Sequence, residues 1–220
     1  MCLICHKYGQ TKQVSGYHEC QYCKARIADV LPDNKAVQKV LEDHAQSYML
    51  GNLETFDLLT YTKRVDVLKK YSKSAKTILD FGCGNGNFVK FLTSNKYNAF
   101  GFDKSEDIKK HLKIQNTPFY KSEEEIPNRH FDVITCFDVI EHTTNPRIFI
   151  QILTKKLKKG GSLVLSTPNS QSISAWVLGN KWWVFGPTAH FILFSTFSLK
   201  QLLTDMKYRM KLTRAEARGF

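Results

Sequence analysis

The stretch that decides the fold runs from residue 78 to residue 88 and reads Ile-Leu-Asp-Phe-Gly-Cys-Gly-Asn-Gly-Asn-Phe. Its apolar first half predicts a buried strand, and its second half predicts a glycine turn that opens a helix. Gly82, Gly84 and Gly86 carry no β-carbon, so a ligand can approach the main chain there. The amides at the start of the following helix have no intrahelical partners. The stretch therefore predicts a ligand-binding loop.

The residues around this loop indicate which ligand it binds. A dinucleotide site of the form G-x-G-x-x-G would need glycine at position 87, which is Asn87. Asp80, at the end of the strand, would repel a pyrophosphate but suits a ligand that carries a cationic amine. S-adenosylmethionine carries an ammonium and a sulfonium group, so these residues favour it over a dinucleotide.

A second acidic residue lies where an adenosine-containing ligand needs one. After a helix predicted over 87–94, residues 98–103 form a predicted strand that ends in Asp103, about twenty residues beyond the glycine loop. A carboxylate at that position can accept hydrogen bonds from both ribose hydroxyls.

Two more predicted strands complete an alternating pattern. Residues 131–137 form a strand that runs into Asp138-Val-Ile-Glu-His142, and residues 157–161 lead into a strand over 162–169. Strands and helices alternate from Thr77 onward, which predicts an α/β fold with a doubly wound, mostly parallel sheet.

In this order the four motifs resemble those of the class I S-adenosylmethionine-dependent methyltransferases, over roughly residues 76–205. The resemblance implies a Rossmann-like core, methyl transfer and a set of cofactor-binding positions, which are Asp80, Phe81, Gly82, Cys83, Gly84, Gly86, Asp103, Lys104, Phe137 and Asp138. Glu123 is a further candidate, for the adenine amino group, but the family's usual acidic position is Ser122 here. A solvated acidic loop explains Glu123 equally well.

The catalytic candidates follow the fourth motif. A sulfonium methyl group is already activated, so the protein must align an acceptor and remove a proton where the acceptor is a hydroxyl. We predict His142 as the base, with Glu141 beside it, because an imidazole ordinarily titrates near neutral pH. Asp138, Glu141 and His142 also resemble a Glu-x-x-Glu-His stretch that binds a divalent metal in some methyltransferases of the ubiquinone-pathway and small-RNA types. We favour a metal-free base over this divalent metal site, and a structural cap for the next helix is the third alternative.

Four of the six cysteines form two C-x-x-C pairs separated by fourteen residues, a spacing close to that of a four-thiolate zinc ribbon. The segment between the pairs contains glycines at positions that allow a hairpin. A segment this short has little core of its own, so we predict structural zinc over unmetallated or redox-active thiols. The predicted ligands are Cys2, Cys5, Cys20 and Cys23.

The chain divides, on this reading, into three parts. Residues 1–30 are a zinc-ribbon-like segment, 31–75 a helical lid or linker with helices over 34–50 and 53–71, and 76–220 the catalytic core. N-terminal helices cover the cofactor in many class I methyltransferases, although plain helix packing is the favoured interpretation here. Residues 209–220 supply one strand where the family sheet ends in two. We therefore expect either a truncated chain or a sheet that is one strand short, with an edge that a second copy could cover.

An insertion at about 170–194 is the candidate wall of the acceptor site, because it follows the last predicted strand and is rich in aromatic residues. Packing of a cap onto the sheet explains most of its tryptophans. The run that begins at His190 resembles bacterial methyltransferases with zinc-ribbon heads that act on sugars, quinone-like rings or other small metabolites. His190 is therefore a second candidate catalytic residue.

The formal net charge of +12 favours polyanion binding, and a zinc ribbon before such a core also describes a type of rRNA methyltransferase. The lysines are scattered over several predicted helices, however, so we rank a small-molecule acceptor first and RNA second. No apolar run reaches the eighteen residues of a membrane span, and the N-terminus lacks the apolar core of a signal peptide. We therefore expect a cytoplasmic protein with no DNA or membrane partner.

Overall fold

The structure is a computed structural model that describes residues 1–49, 55–185 and 189–210. The chain forms two compact units. The cysteine unit comprises Met1–Asp33, Asp138–Ile150 and the described residues from Thr167 onward, and the sheet unit comprises Asn34–Phe137 and Gln151–Ser166. The predicted division at residues 30 and 75 stays a prediction, since the compact units group the chain differently.

In chain order, the strands are β1 (Thr11–Val14), β2 (Tyr17–Cys20), β3 (Arg26–Ala28), β4 (Thr77–Phe81), β5 (Asn98–Phe102), β6 (Phe119–Tyr120), β7 (Phe131–Phe137), β8 (Leu157–Ser166) and β9 (Ile192–Leu193). The helices are α1 (Asn34–Met49), α2 (Thr55–Tyr71), α3 (Asn87–Ser94), α4 (Glu106–Ile114), α5 (Pro146–Lys156), α6 (Ile173–Leu178) and α7 (Thr196–Asp205), with short 3-10 turns at Ile140–His142 and Gly179–Lys181.

The sheet unit contains a five-stranded sheet in the order β6-β5-β4-β7-β8. Every pairing recorded in it is parallel, which confirms the predicted α/β class. One face of its central strands packs on α2, α3 and α4 through a buried apolar cluster that includes Leu68, Ile78, Leu92, Leu112 and Val133. The last four residues of β4, from Ile78 to Phe81, are all buried, which explains why they are apolar except for Asp80.

The cysteine unit contains an antiparallel sheet in the order β1-β2-β3-β9. The predicted hairpin between the cysteine pairs is present as β1 and β2, and its turn uses Ser15 and Gly16 with φ of 49° and 83°. The fourth strand is unexpected, because β9 comes from the aromatic insertion and pairs with β3, placing Ile27 opposite Ile192.

The helices predicted over 34–50 and 53–71 are found as α1 and α2 within the described residues, and the helix predicted over 87–94 is α3. Helix α7 begins at Thr196, because Ser195 and Ser198 form a capping box. The strand predicted over 209–220 lies, from residue 211, outside the described residues. No helix in the described ranges is long and apolar enough to cross a membrane.

Candidate active site

The glycine loop joins β4 to α3 and is held by main-chain hydrogen bonds. The amides of Gly82 and Cys83 donate to the last carbonyl of β5 at 2.7 and 3.1 Å. Gly86 has a φ of 76°, and a Cβ there would lie 2.4 Å from Leu112 Cδ2, so a larger residue would collide with α4. At Gly84, by contrast, a Cβ would meet nothing within 4 Å. The loop therefore borders open space that a ligand can enter.

Asp103 follows β5 and is fixed against the glycine loop. Its Oδ2 accepts a hydrogen bond from the Gly84 amide at 3.0 Å, and its Oδ1 accepts one from the Ser105 amide at 3.0 Å. Burial raises the pKa of this carboxyl, and the two amide bonds oppose that rise. Each oxygen retains a second lone pair. The carboxylate can therefore accept from two ligand hydroxyls while the main chain fixes its orientation.

Helix α1, in the predicted lid, is attached to the segment after Asp103. Glu42 Oε2 accepts from Ser105 Oγ at 2.6 Å, and Oε1 accepts from the Glu106 amide at 3.1 Å. Burial opposes ionisation of Glu42, but these hydrogen bonds outweigh it and lower its pKa. The carboxylate also lies at the positive end of the α4 dipole, which favours the same ionised form. Glu42 thus ties α1 to the loop that carries Asp103.

Asp80 is a buried carboxyl in the middle of the sheet unit. Its Oδ1 accepts from Thr135 Oγ1 of the neighbouring strand β7 at 2.6 Å. Burial raises the pKa of Asp80 to about 6, while the Thr135 hydrogen bond and the charge of Arg64 act in the opposite direction. A ligand ammonium group would stabilise the ionised form in the same way that Arg64 does.

Sequence reasoning did not find Arg64, which lies on α2. Its guanidinium carbon lies 3.9 Å from the ring centroid of Phe137 and 5.5 Å from that of Phe88. A positive group, the Arg64 guanidinium, and a negative group, the Asp80 carboxylate, therefore lie near each other at the end of β4. In the sequence Arg64 resembles any solvated cation of an amphipathic helix, so no local signal distinguished it.

Three predicted cofactor residues, Phe81, Cys83 and Phe137, have side chains that are buried or half-buried in the sheet unit. The rings of Phe81 and Phe102 lie 4.7 Å apart, and both are buried, so the Phe81 side chain belongs to the core. Cys83 is also buried, and burial holds the pKa of its thiol well above the ordinary value. Phe137 is half-buried and packs edge-on against Phe88 at 5.6 Å.

The remaining predicted cofactor residues lie at loop positions. Lys104 is exposed and follows Asp103 directly, and its carbonyl accepts from Gln38 Nε2 at 3.4 Å. Glu123 follows β6, and its carbonyl accepts from Lys156 Nζ at 2.9 Å. Their roles toward a cofactor stay predictions.

The cysteine unit brings the two candidate catalytic histidines together. The ring centroids of His142 and His190 lie 4.9 Å apart. Glu141 is fully buried beside them, and one carboxylate oxygen and one nitrogen of each ring lie within 4.8 Å of one another. The less favoured alternative of a divalent metal on Asp138, Glu141 and His142 differs from the cluster found among the described residues, which contains His190 in place of Asp138.

Hydrogen bonds to carbonyl groups define which ring nitrogens carry a proton. His142 Nδ1 lies 2.7 Å from the Ala189 carbonyl oxygen, and His190 Nδ1 lies 2.9 Å from the Val184 carbonyl oxygen. Because a carbonyl oxygen only accepts, Nδ1 is the donor in both rings. The neutral imidazoles therefore carry their basic lone pairs on Nε2.

The four predicted zinc ligands form one buried cluster. Their sulfur atoms lie within 4.8 Å of one another, with Cys2 and Cys23 at 3.6 Å and Cys5 and Cys20 at 3.8 Å. A tetrahedral zinc site with bonds of about 2.3 Å requires sulfur separations of about 3.8 Å. The Ile4 amide also donates to Cys2 Sγ at 3.4 Å. The donor set and its spacing fit zinc.

The aromatic insertion contributes both core and surface. Trp182 is buried with Val184 and Leu193, whereas Trp176 is 82% exposed. A cavity of about 420 Å³ is lined by Arg26, by Trp176 and by residues 170–173. The insertion thus lines this cavity with both polar and apolar residues, and Arg26 of β3 adds a cation.

A protein-family model described as "Methyltransferase domain" matches residues 54–210. The chain belongs to this methyltransferase family. Among curated relatives of this methyltransferase, the ubiquinone biosynthesis O-methyltransferase of Idiomarina loihiensis is 28% identical over 117 residues, which cover 47% of this chain and 46% of that protein. The chain spans about half the length of the curated relatives it matches.

Solved structures agree with this methyltransferase in fold. An S-adenosylmethionine-dependent methyltransferase from Archaeoglobus fulgidus matches with a TM-score of 0.55 and 22% identity, over 73% of this chain and 78% of that one. Magnesium protoporphyrin IX methyltransferase from Synechocystis PCC 6803, with bound S-adenosylhomocysteine, matches with a TM-score of 0.57 and 18% identity, over 79% and 88%. At these identities the likeness shows the fold, which confirms the Rossmann-like class.

Proposed function

We propose that this methyltransferase transfers the methyl group of S-adenosylmethionine to a small-molecule acceptor. The observation that carries the proposal is the pairing of Asp103 with the open main chain of Gly84. A carboxylate held by amides beside a glycine loop suits a ribose diol. The curated relatives named for ubiquinone biosynthesis support a hydroxyl group on a quinone-like ring as the acceptor, with sugars and other metabolites as the wider class.

The sheet unit contains a complementary group for each end of the cofactor. Asp103 would accept from the ribose hydroxyls, and Asp80 would attract the ammonium group of the methionine part. Arg64, beside Asp80, would attract the methionine carboxylate. We assign the adenine contacts to Phe137, Lys104 and Glu123.

We assign proton removal from the acceptor to Nε2 of His142. The hydrogen bond from Nδ1 to the Ala189 carbonyl fixes the tautomer in which Nε2 is basic. His190 is held in the same tautomer and lies against the first ring. A proton taken by His142 would leave a cation that the buried Glu141 stabilises.

The same cluster favours a second chemistry, because its donor set also fits a divalent metal. A histidine that ligates through Nε2 usually donates Nδ1–H to a carbonyl, as both rings do here. Glu141, His142 and His190 would hold the ion, and an ion there would lower the pKa of an acceptor hydroxyl. Chelator separates the two accounts when elemental analysis shows that the cysteine pairs have kept their zinc. Activity that is lost under those conditions and restored by a divalent ion supports the metal at the histidine cluster.

We also propose that Cys2, Cys5, Cys20 and Cys23 hold one structural zinc ion. The sulfur separations support it, and four buried thiols this close would repel one another if ionised without a cation. Elemental analysis of the purified protein should find one zinc per chain. A metal-free protein with an ordered N-terminus, or disulfides within the cluster, would contradict this proposal.

The experiment for the proposed function uses S-adenosylmethionine with an isotopically labelled methyl group. Catechol-type rings, sugars and rRNA serve as acceptors, and mass spectrometry follows the label. We expect transfer to a small hydroxyl-bearing acceptor, loss of transfer in Asp103→Ala, and near-normal transfer in the matched control Asp107→Asn. Transfer to rRNA, weakened steeply by salt, would replace the small-molecule acceptor with RNA.

A further inference from the structure

The segment 189–191 is held from one side by the cysteine sheet. Tyr17 Oη donates to the His190 carbonyl at 2.9 Å, and the Ala28 amide donates to the Phe191 carbonyl at 2.9 Å. The following residues then pair with β3 as strand β9. The main chain of His190 thus leads directly into β9, which belongs to the same antiparallel sheet as β2 and β3.

The same segment is held from the other side by the 3-10 turn at 140–142. His142 Nδ1 donates to the Ala189 carbonyl at 2.7 Å, and the Phe191 amide donates to the Glu141 carbonyl at 2.8 Å. Three consecutive carbonyls, at positions 189, 190 and 191, therefore accept from His142, Tyr17 and Ala28 in turn. The tautomer of His142 depends on where the first of these carbonyls points.

Tyr17 is buried in a way that fixes the position of its hydroxyl group. Its side chain is fully buried, it packs on Phe185 with ring centroids 5.9 Å apart, and it belongs to the apolar cluster that includes Trp182 and Leu193. Burying a hydroxyl group in an apolar cluster costs free energy unless the group forms a hydrogen bond, and the Tyr17 hydroxyl donates one to the His190 carbonyl.

The second cysteine pair lies between the two strands that hold segment 189–191. Strand β2 runs from Tyr17 to Cys20, and β3 begins at Arg26, shortly after Cys23. The Cys20 amide donates to the Ala25 carbonyl at 2.8 Å, and the Cys23 carbonyl accepts from Ser195 Oγ at 3.1 Å. A cation on these cysteines would lock the turn that joins β2 to β3.

We propose that Tyr17 is a positioning residue for the His142–His190 pair, and that metal binding at the cysteine pairs keeps Tyr17 and β3 in place. The inference rests on the proposed function of the two histidines. Its structural content is separate from that function, because the positions of the rings can be measured without turnover. The proposed cofactor residues belong to the sheet unit, so their affinity for the cofactor should not depend on Tyr17.

The first test replaces only the hydroxyl. Tyr17→Phe keeps the ring and leaves the His190 carbonyl without its donor, so we expect kcat to fall about three- to tenfold. The KM for S-adenosylmethionine should stay within about twofold of wild type. Tyr8→Phe is the matched control, because Tyr8 lies in the same segment but is 77% exposed, and it should behave as wild type.

The second test measures which ring nitrogen of each histidine carries the proton. Nitrogen NMR of the histidine side chains should show protonated Nδ1 for His142 and His190 in the metal-loaded protein, and a mixture of tautomers in Tyr17→Phe or after zinc is removed with chelator. Calorimetry on the same samples should show unchanged cofactor affinity. If the Nδ1–H tautomers persist in Tyr17→Phe and after zinc removal, Tyr17 and the zinc do not position the histidines. If the tautomers are lost while His142→Ala remains fully active, Tyr17 is a positioning residue but His142 is not the catalytic base.

Discussion

The cofactor loop and the histidine cluster differ in how far apart in the sequence their contacting residues lie. The hydrogen bond between Gly84 and Asp103 joins residues 19 apart in the chain, in the loops that follow the neighbouring parallel strands β4 and β5. The His142 ring is held by a carbonyl 47 residues away, and the His190 carbonyl is held by Tyr17, 173 residues away. A site closed by local contacts keeps its shape when remote segments are disturbed, whereas a site assembled from distant segments depends on all of them. Binding and transfer should therefore be separable by mutation.

The largest expected separation comes from His142→Ala. If the imidazole removes the acceptor proton, turnover should fall about 10²- to 10⁴-fold. Cofactor affinity should stay within about twofold, because the proposed cofactor groups Asp80 and Asp103 belong to the sheet unit and His142 belongs to the cysteine unit. Steady-state kinetics and calorimetry on one preparation measure both quantities. His130→Ala is the control, since His130 is an exposed histidine outside the cluster. Full activity in His142→Ala would remove this residue from the mechanism.

A pH titration of cofactor binding tests the sheet unit alone. Burial raises the pKa of Asp80 to about 6, and an ammonium group binds only the ionised carboxylate. The dissociation constant should therefore be nearly constant above pH 6 and should rise by up to about tenfold per pH unit below it. Calorimetry between pH 5 and pH 7 measures this trend.

Asp80→Asn supplies the control for that titration. It should bind the cofactor more weakly at pH 7 and lose most of the dependence on pH, whereas Asp107→Asn should retain it. A wild-type protein whose affinity does not change below pH 6 would show that the ammonium group binds elsewhere.

The smallest expected effect is at the attachment of α1. Glu42→Gln keeps the size of the side chain but removes the negative charge of the carboxylate, whose oxygens accept hydrogen bonds from Ser105 Oγ and from the Glu106 amide in the first turn of α4. We expect a loss of about 0.5–1 kcal/mol in the free energy of unfolding, measured with urea. Because hydrogen bonds lower the pKa of Glu42, its contribution should be present at neutral pH and lost as the pH falls through that pKa.

The neighbouring variant Asp43→Asn is the matched control, because Asp43 is exposed on the same helix. Equal stability of the two variants would mean that the contacts of Glu42 add nothing to the fold.

The cofactor loop was predictable from the sequence because its determinants are local. A glycine turn between an apolar strand and a helix, and an acid at the end of the next strand, identify Gly84 and Asp103 as candidates without knowledge of the rest of the chain. Their direct hydrogen bond is known only from the structure. The cysteine pairs were predictable for a similar reason, since their spacing alone indicates a common ligand set.

The histidine cluster was predicted only in part. His142, His190 and Glu141 were all candidates, but the less favoured metal alternative grouped Asp138 with Glu141 and His142 and left out His190. Asp138 has a φ of 56°, so the chain turns there, and the ligand group contains His190 instead. The pairing of β3 with β9 joins segments more than 160 residues apart, and no local pattern specifies such a partner.

Calorimetric titration of S-adenosylmethionine into wild type and Asp103→Ala shows whether Asp103 binds the ribose of the cofactor. We expect wild type to bind the cofactor and Asp103→Ala to bind it at least about tenfold more weakly, because hydrogen bonds from the ribose to a charged carboxylate are lost. Asp107→Asn should bind as wild type does. Equal affinity in Asp103→Ala, or a wild-type protein that binds NAD in preference to S-adenosylmethionine, would contradict the account.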